Sequence, residues 1–431
     1  MILIFLKKPF IRNVTIVASG TAVAQVVALV FSPLLTRIYG PEAFGLLGVF
    51  SSLAAMLIYI SDLTYSNAIV IPREDSEAWG LVKISIYVTC CVCCLVVLAL
   101  LLVGGDLLII LRSEAIASYV YLIPLSMLFV AFSQIGKQWL IRKNQFYVTA
   151  KVTVLQGLGY NISQALVGYF YPLGASLVIL STLSHGLTAF LLWYGIKQSG
   201  CLDLSVLSDK EPKIHLKTLA LQYNDFPFFR APQVLINAVS QNLPVLILAS
   251  FFGTVYSGFF TLGAKVLSLP TQLISQSVAQ VFYPRVAQAA QNGEQIQGLI
   301  LRATLVLLSI GIIPFGIIFI FGPYLFGLLF GHEWIRAGQY ARWLALWAFA
   351  KFINSPSLAA IPVIRMQKWY LFYEIFAGVI RIAALFCGWF FFKNDLIAVA
   401  LFSFFATGLY LWLIVKVVHS SSLFSTLTKK M

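Results

Sequence analysis

The run Ile84-Ser85-Ile86-Tyr87-Val88-Thr89-Cys90-Cys91-Val92-Cys93-Cys94-Leu95-Val96-Val97-Leu98-Ala99-Leu100-Leu101-Leu102-Val103 contains no charged residue. At about 1.5 Å of rise per residue, a helix of this length crosses the roughly 30 Å hydrocarbon core of a bilayer. It shows no alternation of period two, so it reads as a helix and not as a barrel strand. A helix also satisfies its own backbone hydrogen bonds where no water is present. Four cysteines within about one turn cannot all aim at one metal ion. With Cys201 and Cys387 standing alone, the six cysteines imply neither a metal site nor a disulfide framework, only apolar packing or lipid contact.

Similar runs recur on both sides. Before it lie Val14–Leu35 and Phe44–Val70; after it come Ala117–Ile135, Val152–Phe170 and Ala175–Ile196. A polar stretch, 197–225, follows, with mixed charge at Asp203, Asp209, Lys210, Glu211 and Lys213. Six further runs follow it: Val234–Phe252, Gly258–Phe282, Ala303–Phe321, Tyr340–Ile361, Tyr370–Phe392 and Leu396–Val418. The predicted fold is an all-α integral membrane protein of about twelve transmembrane helices in two six-helix lobes, 1–196 and 226–431, joined by a cytoplasmic loop at 197–225. Composition agrees: the 431 residues are 60% hydrophobic and 10% charged, with a mean hydropathy of +0.91. Soluble chains are about half apolar and a quarter charged.

The net charge of +14 is a topological signal. With the N-terminus inside, 21 Lys and Arg fall on the cytoplasmic side and five (Arg37, Arg112, Arg336, Arg342 and Lys393) on the other. That asymmetry predicts both termini in the cytoplasm. No exposed basic domain exists to bind nucleic acid. The short apolar start, ending at Lys7-Lys8-Pro9, lacks a signal-peptide pattern, so the first span is expected to be retained.

An internal repeat is visible. Tyr39-Gly40, four residues, then Gly45-Leu46-Leu47 returns as Phe252-Gly253, four residues, then Gly258-Phe259-Phe260, at an offset of 213. Ile71-Pro72-Arg73 returns as Tyr283-Pro284-Arg285, at 212. Glycine supplies the tight turn before the second helix of each half, and Pro-Arg is expected to stop that helix and anchor it. Six spans per half give parallel repeats, with a cavity expected between them.

Charges inside the spans are costly, about 2.5–3.5 kcal/mol each on insertion scales, and so need a partner or a watery cavity. Lys265 lies on a polar stripe with Thr261, Ser268, Gln272 and Ser275 or Gln276; Lys351 shares a face with Trp347, Asn354 and Ser355. Arg381 stands two turns from Glu374, either as a structural ion pair or as a cavity cation. Asp62 either neutralises a cation or titrates with a driving ion. Arg342 and Arg37 lie at the outer mouth, where they guide an acidic glycan or anchor the interface. Weaker polar stripes run through Thr21–Gln25–Ser32 and Gln156–Tyr160–Gln164. The candidate substrate-binding set is Lys265, Lys351, Arg381, Asp62, Gln272, Asn354 and Arg342. Its excess of cations suits a phosphate or pyrophosphate.

Chemistry of the enzymatic kind is not legible. His185, His215, His332 and His419 lack metal-ligand spacing, and no HExxH, Gly-rich phosphate loop or Gly-x-Ser-x-Gly occurs. No cofactor is expected. Without a nucleotide site, transport would draw on a gradient, with proton and sodium coupling both open.

Several segments resemble bacterial polysaccharide-biosynthesis flippases. They include Asp225-Phe226-Pro227-Phe228, Leu243-Pro244, Phe251-Phe252-Gly253, Lys265-Val266-Leu267 with Pro270, and Gln280-Val281-Phe282-Tyr283-Pro284. Phe330-Gly331-His332-Glu333-Trp334 with Ala337-Gly338, and Thr36-Arg37-Ile38-Tyr39-Gly40-Pro41-Glu42-Ala43-Phe44-Gly45, belong to the same likeness. These are the O-antigen and exopolysaccharide repeat-unit translocases of the multidrug/oligosaccharidyl-lipid/polysaccharide exporter superfamily. The resemblance implies a carrier, not an enzyme, in the bacterial inner membrane. It would move a polyprenyl-pyrophosphate-linked oligosaccharide from the cytoplasmic to the periplasmic leaflet by alternating access through a cationic central cavity. It also implies membrane lipids, a polysaccharide polymerase and a chain-length regulator as partners. Two alternatives stand beside it. A drug/cation antiporter of the same superfamily should carry acidic cavity residues, and a membrane polymerase or ligase should carry a large outer loop.

Overall fold

Gly40 breaks the first helix. Helix α1 (Pro9–Ile58) consists of two arms that meet at this residue, whose φ of 68° and ψ of 173° lie outside the helical region. Gly253, at φ 112°, makes the corresponding break between α7 (Ala231–Phe252) and α8 (Thr254–Gln291). A residue with a Cβ is strained at such φ, so the two repeat glycines are the residues the turns require.

The computed structural model describes residues 9–110, 114–201, 215–292 and 294–428. Arg112, residues 202–214 of the connecting loop with their mixed charges, and the terminal lysines Lys7, Lys8, Lys429 and Lys430 lie outside the described residues, as do the side chains of Arg12, Ser275 and Gln276. The remaining helices are α2 (Asp75–Ile110), α3 (Leu122–Arg142), α4 (Phe146–Phe170), α5 (Gly174–Gln198), α6 (Leu216–Gln222), α9 (Ile296–Phe330), α10 (Ile335–Ile353), α11 (Ser355–Ala360), α12 (Gln367–Phe392) and α13 (Asp395–Thr428). No strand occurs among the described residues. Eight helices there are long and apolar enough to cross a membrane by themselves, one of them α1 with its two arms. The twelve predicted spans fall mainly on helix, and this is an all-α membrane protein of about twelve spans.

Parts of the chain are built differently from expectation. The second does not continue as α-helix to Val70: α1 ends at Ile58, and a 3-10 turn occupies Tyr65–Val70. Asp62 offers the backbone side-chain hydrogen bonds that compete with the helical ladder. The tenth span is interrupted at Asn354, between α10 and α11, with Pro356 in the first turn of α11. Pro284, expected to stop its helix, does not do so; α8 runs on to Gln291. Its exposed ring costs one ladder bond, which membrane helices tolerate.

Contacts divide the chain into two compact units, Met1–Ser250 and Phe251–Met431. In the first, α4 lies against α1. A Cβ on Gly168 would stand 2.7 Å from the Tyr39 ring, and the Tyr39 hydroxyl donates to the Gln164 carbonyl at 2.9 Å. Trp79 and Trp139 meet edge to face at 5.4 Å within a cluster of Leu81, Ile135 and Ile196. Arg142 donates to the carbonyls of Ile69, Pro72 and Arg73 and pairs with Asp75, which Lys143 also contacts.

In the second unit α9 approaches α10 closely. A Cβ on Gly338 would lie 2.5 Å from the Gly322 carbonyl oxygen. Small residues of this kind let membrane helices pack backbone to backbone, where no hydrophobic effect drives them together. Arg336 links α10 to α13 through both Asp395 oxygens, at 2.6 and 3.0 Å. Beyond the spans, Arg285 hydrogen-bonds Glu294 and holds that carboxyl below the usual carboxylate range.

Candidate functional site

Polar groups inside the first unit gather where α1 gives way. The chain turns through Leu63 (φ 47°) and Thr64 (φ 61°), a left-handed pair. Asp62, only 6% exposed, holds the turn: Oδ1 accepts the backbone N–H of Thr64 at 3.0 Å and Oδ2 that of Ser66 at 2.9 Å. The Thr64 hydroxyl donates to the Phe226 carbonyl at 3.1 Å, and the Tyr65 hydroxyl to that of Ala220 at 3.2 Å. The Asp62 carboxylate thus spends an acceptor position of each oxygen on its own backbone.

This turn borders a cavity of about 640 Å³ within the first unit. Its lining joins Tyr59, Asp62 and Asn67 to Gln134 of α3, Ser181 and His185 of α5, and Arg230. Asn67 accepts from Gln138 at 3.0 Å, and Arg230 donates to Gln233 at 3.1 Å. Amides, hydroxyls, an imidazole, a guanidinium and an aromatic ring in one lining suit a polar organic ligand of moderate size. Sequence reasoning chose Asp62 here and missed Gln134, His185 and Arg230. A signal existed for His185: it stands four residues after Ser181 in an otherwise apolar span, hence on one helix face with it. Arg230 was hidden because it counts equally well as a topological charge.

The second unit holds the other six predicted residues, of which Arg381 and Asn354 are buried. Arg381 is 3% exposed and packed between α12 and α13. Its Nη1 stands 3.7 Å from Glu374 Oε2, and its guanidinium lies 5.2 Å from the Tyr410 ring centre. Glu374 also accepts from the Tyr370 hydroxyl at 2.9 Å. Asn354 is 0% exposed at the α10–α11 break, with neither amide atom hydrogen-bonded among the described residues. Arg342 ties α10 to α9 by donating to the Ile320 carbonyl at 3.2 Å.

Like Arg342, Lys265 and Lys351 are half-buried, and Gln272 is exposed. Lys265 is half-buried on α8, and among the described residues no carboxylate pairs with it. Lys351 is half-buried on α10, its ammonium 5.4 Å from the Trp347 ring centre, while Trp347 meets Phe402 edge to face. Gln272 is exposed, two turns along α8 from Lys265. The weaker stripe on α4 is spent on helix contacts, Gln156 donating to Ser184 at 2.6 Å. Among the described residues no group of His, Cys, Asp and Glu could hold a metal ion.

A family model described as "Polysaccharide biosynthesis protein" matches residues 34–339, most of the chain. The chain belongs to this family. No curated protein sequence matches it. Solved structures do. An inward-facing multidrug resistance MATE family transporter of the MOP superfamily matches with a TM-score of 0.76 and 14% identity, over 93% of this chain and 96% of that one. An outward-facing MATE transporter gives 0.62 and 14%, over 97% and 96%. A Vibrio cholerae MATE transporter gives 0.60 and 15%, over 97% and 98%. At such identities the likeness shows the fold alone, so this member of the polysaccharide biosynthesis family has the fold of a MOP-superfamily membrane transporter.

Proposed function

We propose that this protein is a flippase that moves polyprenyl-pyrophosphate-linked oligosaccharide repeat units from the cytoplasmic to the periplasmic leaflet of the bacterial inner membrane, for O-antigen, capsule or exopolysaccharide assembly. The observation that carries the reading is a pair of half-buried lysines, Lys265 and Lys351, on helices of a transporter fold in a polysaccharide biosynthesis family. A lysine inside a span is retained only where it meets water, a partner or an anion. A pyrophosphate can bind the two ammonium groups during passage and leave with the substrate. The cavity beside Asp62 offers the amide, hydroxyl and aromatic contacts that sugars take.

In this reading the protein is a carrier and not an enzyme. The lobes 1–196 and 226–431 alternate in access, both termini lie in the cytoplasm, and a proton or sodium gradient supplies the drive. A polymerase and a chain-length regulator would receive the product.

The test is purified protein in liposomes with a fluorescent polyprenyl-pyrophosphate oligosaccharide in one leaflet, followed with and without each gradient. Appearance in the other leaflet that needs both protein and pyrophosphate supports the reading. No movement, with efflux of a cationic dye from the same vesicles, would replace it by drug export, as in the multidrug transporters that share the fold.

A further inference from the structure

We propose that the groove between α4 and α5 is a binding site for an anionic glycerophospholipid, held by its phosphodiester. Both helices are two-faced. On α4, Gln156 donates to Ser184, and the buried Gln164 offers its backbone carbonyl to the Tyr39 hydroxyl. About half a turn away, Tyr147, Leu155, Ile162 and Leu166 are exposed. On α5, Ser181 and His185 line the interior cavity, while Ile179, Leu183, Leu187, Phe190 and Tyr194 are exposed on the opposite side. The outer faces therefore form two apolar stripes, of a kind that acyl chains cover.

Both stripes end in a groove of about 300 Å³. Its wall changes character there: Tyr147, Lys151, Tyr194, Gln198 and Ser199 stand around a base of Val148, Val152 and Leu191. The base exists because Gly195 admits α4 closely; a Cβ there would meet Val148 Cγ1 at 2.5 Å. Phenols and a lysine at the end of an apolar stripe are the groups that settle at headgroup level. A basic pocket between membrane helices is a recurrent lipid-headgroup site.

The chemistry narrows the occupant. Among the described residues Lys151 is the only cation lining the groove, and no carboxylate there lines it. One ammonium matches one phosphodiester charge, whereas a pyrophosphate brings more charge than the site balances. A zwitterionic headgroup would find nothing for its own ammonium. Phosphatidylglycerol fits both conditions. This site lies on the face of α5 away from the interior cavity and stands independently of the transport reading.

Native mass spectrometry of the full chain, released from detergent micelles with equal phosphatidylglycerol and phosphatidylethanolamine, reads the preference directly. The wild type should retain phosphatidylglycerol several-fold over phosphatidylethanolamine. Lys151→Ala should abolish that preference, while Lys151→Arg and the neighbouring surface control Lys197→Ala keep it. Equal retention of the two lipids, or a preference untouched by Lys151→Ala, overturns the proposal. Stronger retention of polyprenyl phosphate, lost in Lys151→Ala, overturns the assigned occupant. A photoactivatable phosphatidylglycerol on the unaltered protein guards against a misfolded variant. It should label residues 147–155 and 191–199, and labelling confined to other segments also overturns the site.

Discussion

Arg336 grips Asp395 with two parallel hydrogen bonds, and the Tyr340 hydroxyl donates to the same carboxylate at 2.6 Å. The carboxylate is nearly buried while the guanidinium is one-third open to its surroundings. The fork matches guanidinium geometry, and an ammonium cannot reproduce it. Arg336→Lys should therefore lower thermal stability in detergent by about 1–2 kcal/mol, after allowance for that exposure. An unchanged melting temperature would mean the clasp adds nothing.

Arg381 and Glu374 are both buried, and breaking such a pair leaves a charge without compensation. Arg381→Met should cost about 3–5 kcal/mol, and adding Glu374→Gln should restore part of it. A double variant no more stable than Arg381→Met would show that the two do not depend on each other. If Arg381→Lys keeps its stability yet loses transport, the guanidinium serves the substrate.

Asp62→Asn leaves one acceptor oxygen where two are used. It should cost about 1–2 kcal/mol, as the loss of a helix cap does, with transport still dependent on the same gradient. Full stability combined with loss of gradient dependence would instead make Asp62 a titrating group.

Gly338→Ala forces a methyl group against the Gly322 carbonyl and should cost about 1–3 kcal/mol by overpacking. Gly298→Ala, in the same unit, meets nothing within 4 Å and provides the neutral control. Equal behaviour of the two would show that α9 and α10 separate easily.

Lys265→Ala and Lys351→Ala should each slow flipping of the pyrophosphate-linked substrate by about tenfold, equivalent to about 1.4 kcal/mol, with membrane insertion unchanged. The liposome assay measures the rate. Wild-type rates in both variants and in their combination would remove the anion-binding role.

The spans were legible because a twenty-residue apolar run needs no tertiary information. Gly40 and Gly253 were legible because a positive φ narrows the choice of residue. What escaped was local competition within a span. Nothing in the hydropathy of 44–70 shows that Asp62 will bind its own backbone and end the α-helix twelve residues early. The same limit applies to the site. Lys265, Lys351 and Arg381 look alike as intramembrane cations, yet Arg381 is buried against Glu374 and Tyr410 while the two lysines are half-buried, a difference made by neighbours far away in sequence. The cavity beside Asp62 draws on α1, α3, α5 and Arg230, and no single stretch announces it.

The contact of Gly322 with Gly338 has a mechanical meaning. Two helices that touch through their main chains have no side chains between them to reshuffle, so α9 and α10 cannot glide past one another by swapping rotamers. They behave as one stiff plank. Lys351, mounted on α10, is carried wherever that plank goes, and any excursion of its ammonium must come from bending of the lysine stem or from displacement of both helices at once.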